Sequence, residues 1–154
     1  MATDSGIRGA VAAAPTVAKG FILDRRDAVP ALIGRHEDFL IVSGLAGTSR
    51  DVAALTKDGA NTYTMAGAMG GACMIGLGLA LARPDKRVLV VTGDGELLMN
   101  VGALATIAVM NPPNLAIVCV DNGHYGETGY QKSQTILRDV DPDVDILCPG
   151  APFL

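Results

Sequence analysis

Two rhythms of apolar and polar residues alternate along this chain, and each change of rhythm marks an element. Uninterrupted apolar runs occur at 39–42 (Phe-Leu-Ile-Val), 88–91 (Val-Leu-Val-Val) and 115–120 (Leu-Ala-Ile-Val-Cys-Val). Runs this short with no polar face read as parallel strands covered on both sides. They predict strands over 38–43, 87–92 and 115–120, and a shorter run predicts another over 61–65. Between them the spacing turns helical. Residues 21–33 place Ile22, Val29, Leu32 and Ile33 on one face, with Asp27 ahead of the stronger half and Pro30 in an early turn. A helix through Leu55 is expected to start at Thr48 or Ser49 as N-cap. A third runs from the glycines at 70–71 to Ala82, closed by Arg83-Pro84. Its Gly76, Gly78, Ala80 and Ala82 suit close packing. The last runs over 96–110 and is stopped by Asn111-Pro112-Pro113-Asn114. Alternating strands and helices predict an α/β fold: a three-layer, doubly wound, mostly parallel sheet with helices on both faces.

Parallel strands joined through a crossover helix end on the same edge of the sheet, where ligands bind. The strand over 87–92 ends in Gly93-Asp94-Gly95, and the next ends in Asp121-Asn122-Gly123-His124-Tyr125-Gly126. Asp94 and Asn122 are thereby expected together although 28 residues separate them. A hard cation such as Mg2+ takes oxygen ligands and leaves positions for phosphate. Asp94 offers charge, Asn122 a neutral oxygen, and the backbone carbonyl near His124 a third donor. Gly93 and Gly95 let backbone approach closely. The helix beginning near Glu96 points free N–H groups at the same place. Together these residues describe a metal-bridged diphosphate site.

Gly93-Asp94-Gly95, a gap of 25 residues, then Asp121-Asn122 resembles the motif of thiamine diphosphate enzymes, whose pair is usually Asn-Asn. The Asp at 121 departs from that pattern outside the metal-ligand position. The resemblance is to the cofactor-binding (PP) domain of sulfopyruvate and phosphonopyruvate decarboxylases. It covers roughly 38–133, including Tyr63-Thr-Met-Ala-Gly-Ala-Met-Gly-Gly-Ala72 and Gly102-Ala-Leu-Ala-Thr-Ile107. It implies thiamine diphosphate and Mg2+ as cofactors, with Asp94, Asn122 and His124 as metal ligands, His124 through its carbonyl. It implies cofactor contacts from Gly44, Thr48, Gly67, Met69, Gly93, Asp94, Gly95, Glu96, Asn122, His124, Tyr125 and Gly126. In the family, the Met of the segment matching 67–70 lies beneath the cofactor and props its rings into a bent form, which assigns Met69. Glu96 is placed there by position, but a carboxylate beside a diphosphate is repelled, so helix N-terminal stabilisation is its expected contribution. Glu127 and Tyr125 are near the site by chain position only. No residue is fixed as catalytic; the ring of His124 is a candidate for acid–base work. The Glu that activates the pyrimidine ring comes, in this family, from a separate domain. The resemblance therefore implies a pyrimidine-binding, alpha-type partner subunit, a dimer or hetero-oligomer, and a small anionic 2-oxo acid decarboxylated to an aldehyde. A carboligase or oxidoreductase subunit of the same superfamily, or a non-catalytic homologue, is the alternative.

Composition narrows this picture further. Of 154 residues, 49% are hydrophobic and 18% charged, enough for a real core under a sparsely charged surface. The net charge of −4 and the absence of a basic cluster argue against nucleic acid or membrane as partners. Cys73, Cys119 and Cys148 have no CxxC spacing and read as core thiols of a cytoplasmic protein. The Met1-Ala-Thr-Asp-Ser-Gly start lacks a signal-peptide pattern. The expected organisation is a loosely ordered arm over 1–19, the cofactor-binding domain over 20–137, and a short or diverged segment over 138–154.

Overall fold

The computed structural model describes residues 24–137 and the two-residue strand at 146–147. The expected arm and most of the segment after 137 lie outside the described residues. The order is α1 (Arg25–Ile33), β1 (Phe39–Ser43), α2 (Gly47–Thr56), β2 (Thr62–Thr64), α3 (Ala72–Ala82), β3 (Arg87–Gly93), α4 (Asp94–Met99), α5 (Gly102–Met110), β4 (Leu115–Val120), β5 (His124–Tyr125), β6 (Gln131–Lys132) and β7 (Ile146–Leu147). The main sheet runs β2-β1-β3-β4-β7. Its first four strands are parallel, and β7 pairs antiparallel with β4.

The period of two in the strands sorts their residues between two cores. Leu40, Val42, Val88, Val90, Leu115 and Ile117 face α3 and α5, where Cys73, Leu77, Ala80, Ala103 and Ile107 cover them. Ile41, Leu89, Val91, Ala116 and Val118 face α1 and α2, under Val29, Ile33 and Val52. The fold is the three-layer α/β arrangement that the alternation predicts. In α3 the two glycines do different things. A Cβ on Gly76 would stand 2.2 Å from the Val90 side chain, so this glycine sets the helix directly on β3, whereas Gly78 faces open space.

Four local expectations are corrected. Helix α1 is capped by Asp24, whose carboxylate accepts from Arg26 N at 2.8 Å; Asp27 lies inside the first turn. Helix α2 starts behind Ala46 (φ 65°), and Thr48 sits within the first turn, donating back to the Leu45 carbonyl at 3.0 Å. The helix expected over 96–110 begins at Asp94 and is two helices, α4 and α5. The break falls at Asn100, whose Nδ2 donates to the Gly70 carbonyl at 3.1 Å. An Asn side chain that bonds a distant backbone removes the reason to continue the helix, and Gly102 two residues on weakens it further.

Candidate functional site

Register decides what meets at the carboxyl edge. Gly93 of β3 pairs with Val120 of β4, so the residues that leave the two strands side by side are Asp94 and Asp121. Asn122 is one step further on. Asp94 is 4% exposed and opens α4. The chain beyond β4 then makes a small hairpin, β5–β6, and returns with the Ser133 N–H donating to the Gly123 carbonyl at 2.8 Å. That return delivers two hydroxyls. Ser133 Oγ contacts Asp94 Oδ2 at 2.5 Å and Thr135 Oγ1 at 2.7 Å. Thr135 Oγ1 in turn lies 2.9 Å from Asp121 Oδ1 and 3.4 Å from Asp94 Oδ2. Burial, first of all, and the neighbouring Asp94 push the Asp121 carboxyl above the usual carboxylate range.

Two hydroxyl protons thus serve three short oxygen–oxygen contacts. The cluster is rich in acceptors and poor in donors.

Glu96, expected at the helix end, turns inward and is 4% exposed. Its Oε2 accepts from Leu45 N at 2.9 Å and Thr92 Oγ1 at 3.0 Å; its Oε1 is buried with no partner among the described residues. A Cβ on Gly44 would stand 1.7 Å from Oε2. Gly44 is therefore glycine because Glu96 lies against it, and Thr48 pins the carbonyl of the same Leu45 whose N–H Glu96 holds. The Glu96 charge acts after burial itself in raising the Cys73 thiol to about 11, so Cys73 is an inert core thiol.

The remaining expected residues ring this centre. A Cβ on Gly95 would meet the Tyr125 ring at 2.5 Å, which explains why that turn carries no side chain. Asn122 is exposed, and its Oδ1 accepts from His124 N at 2.8 Å in an Asx turn, which uses one of two lone pairs. His124 Nδ1 is 2.8 Å from the Asn122 carbonyl; a carbonyl only accepts, so the Nδ1 proton is fixed there and Nε2 is the free ring nitrogen. Met69 is half-buried in the loop ahead of α3, and Gly67 and Gly126 are exposed. Sequence reasoning missed Ser133 and Thr135 altogether. The available signal was the polar Ser133-Gln134-Thr135 run after a glycine-rich turn, but nothing local says that it folds back to residue 94.

Among the described residues no ion pair involves Asp94, Glu96 or Asp121. Burying an unpaired carboxylate costs several kcal/mol. Nor do three His, Cys, Asp or Glu side chains gather into a self-sufficient metal cage among the described residues. A cation here would be completed by amide, carbonyl and phosphate oxygens, which is how Mg2+ is usually held. The donor set fits that ion. No described helix is long and apolar enough to cross a membrane.

Residues 46–146 match the model of the thiamine pyrophosphate enzyme C-terminal TPP-binding domain, and the chain belongs to that family. Among individual proteins, it is 43% identical over 110 residues to the sulfopyruvate decarboxylase subunit beta of Methanothermobacter thermautotrophicus, covering 71% of this chain and 58% of that one. It is 48% identical over 103 residues to the same subunit of Methanocaldococcus jannaschii, covering 67% and 53%. The chain thus spans little more than half the length of these relatives. A solved 2-oxoglutarate:ferredoxin oxidoreductase from Magnetococcus marinus superposes with a TM-score of 0.53 at 32% identity, over 68% of this chain and 35% of that one.

Proposed function

We propose that this chain is the thiamine diphosphate- and Mg2+-binding component of a 2-oxo acid decarboxylase, completed by a separate pyrimidine-binding chain. The observation that carries the reading is the buried Asp94 beside the half-buried Asp121 at the tips of β3 and β4, neither in an ion pair among the described residues, in a chain of this family. The names of the relatives favour a short anionic 2-oxo acid such as sulfopyruvate, released as an aldehyde after non-oxidative loss of CO2. Decarboxylase subunits reach 48% identity, against 37% for an oxidoreductase subunit, which favours this over an oxidoreductase subunit.

When bound, thiamine diphosphate would supply the electron sink that decarboxylation needs. The chain's own residues bind and orient. Asp94 would bring the negative charge that holds Mg2+. Asn122 offers its second lone pair, and the His124 carbonyl a third oxygen. The loop at 44–47 is fixed by Glu96 and Thr48. Met69 sits in the loop expected beneath the rings. His124 Nε2, its ring held through Nδ1, is free to exchange a proton with substrate.

The test is to purify the chain alone and together with candidate alpha-type partners, and to assay each with Mg2+, thiamine diphosphate and a panel of 2-oxo acids that includes sulfopyruvate and phosphonopyruvate. Turnover is expected only with a partner. Full turnover by the pure chain would overturn the split-site reading, and cofactor binding without any partner-dependent turnover would support a non-catalytic homologue.

A further inference from the structure

We propose that Ser133 and Thr135 are positioning residues that hold Asp94 and Asp121 together as one preset oxygen-donor unit for the cation, an inference that rests on the metal-dependent reading above. The geometry points to this from three sides. First, Ser133 is 1% exposed, whereas the whole of 126–132 before it is exposed. A lone buried hydroxyl at the end of an exposed hairpin adds little apolar burial, and its partners are polar. Second, the contacts converge. Ser133 Oγ reaches Asp94 across 39 residues of sequence, and Thr135 Oγ1 reaches both Asp94 and Asp121. A carboxylate on a strand tip turns freely about its side-chain bonds; one that accepts the proton of a buried Ser133, itself backed by Thr135, does not. Third, Asp121 Oδ1 is held by two donors at once, accepting from Thr135 Oγ1 at 2.9 Å and from Gly123 N at 2.8 Å.

Outer-sphere hydrogen bonds of this kind orient ligating groups, and their loss typically costs roughly 10–100-fold in metal affinity. The assignment also gives the residue at 121 a purpose. With Asn there, one negative charge would face the cation from the strand tips. With Asp121, which accepts from Thr135 while Asp94 accepts from Ser133, there are two. The hairpin between β4 and Ser133 becomes the connection that brings the hydroxyls home.

The experiment uses the full chain with thiamine diphosphate and Mn2+ as the spectroscopic probe, measuring Mn2+ affinity by electron paramagnetic resonance and fold stability by circular dichroism. Ser133→Ala and Thr135→Val should each weaken Mn2+ binding by roughly 10–100-fold. Thr135→Ser keeps the hydroxyl and should bind close to wild type. The Val and Ser variants at 135 are near-isosteric, so they carry the test even if Ser133→Ala folds poorly. A merely structural role predicts the opposite pattern, lower melting temperature with unchanged Mn2+ affinity in the folded protein, and would overturn the proposal. So would tighter binding in either hydroxyl-free variant, which would mean that the hydroxyls compete with the cation. Asp94→Ala separates the two levels. If it abolishes binding while the hydroxyl variants bind normally, only this inference fails. If it binds as wild type, the metal-site reading fails and the inference falls with it.

Discussion

The two ends of the central sheet treat charge in opposite ways. At the amino ends of the strands, ionic and polar groups are matched. Asp38 accepts from Arg35 at 2.6 Å and Arg87 at 3.1 Å, and the Arg35 guanidinium, first of all, holds its carboxyl below the usual range. Arg87 also lies over the Phe39 ring, 4.4 Å from its centroid. The Asn114 carboxamide nitrogen sits within 3.0 Å of the Ala80, Arg83 and Lys86 carbonyls, closing the end of α3. At the carboxyl ends, Asp94 and Asp121 stand side by side and Glu96 is buried against Leu45 and Thr92, none of them in an ion pair among the described residues, where Glu96 Oε1 and Ser43 Oγ are also buried without partners. One end is arranged for the fold; the other leaves bonding capacity to be met from outside. The same strands carry both, so the difference lies in the few residues after each strand.

The sharpest way to break this comparison is Asp94→Ala. At the carboxyl edge it should abolish Mg2+-dependent thiamine diphosphate binding, measured by calorimetry. It should change the melting temperature of the metal-free chain little, because removing an uncompensated buried charge offsets the lost Ser133 contact. Unchanged cofactor affinity would sink the assignment of Asp94.

Gly44→Ala comes next. A Cβ there collides with Glu96, and overpacking of this kind costs about 1–3 kcal/mol. Combining it with Glu96→Ala should recover part of the loss, a coupling that a denaturation double-mutant cycle reads directly. At the other end, Asn114→Ala leaves carbonyls of the α3 terminus unsatisfied and should cost about 1–2 kcal/mol in denaturant unfolding while cofactor affinity stays the same. A change in that affinity would show that the two ends are not separable.

The smallest effect is on pH. The folded pKa of Asp121 is raised from 3.8, so its stabilising contribution is complete below that value and is lost as pH rises through the folded one. The metal-free chain should therefore lose stability across that interval, and Asp121→Asn should flatten the slope seen in denaturant midpoints.

The layers and the four parallel strands were legible in the sequence because apolar runs at 39–42, 88–91 and 115–120 have only one comfortable setting, covered on both faces. The motif draws attention to Asp94 and Asn122, while the pairing of Gly93 with Val120 sets Asp94 beside Asp121. A motif states which residues matter, but a register states which of them touch. Glu96 was misplaced because charge at a helix start ordinarily faces outward, and only the absence of a Cβ at Gly44 leaves room for it to turn in. The helix break at Asn100 depends on a carbonyl 30 residues away, which no local propensity encodes.

That break has a consequence for motion. Asn100 ends the helix that begins at Asp94, and its amide grips the carbonyl of Gly70, next to Met69. The loop bearing Met69 and the helix bearing Asp94 are thus tied through one side chain. Backbone amides on the two segments should exchange with deuterium in step, and Asn100→Ala should let the 66–71 loop exchange on a faster clock of its own.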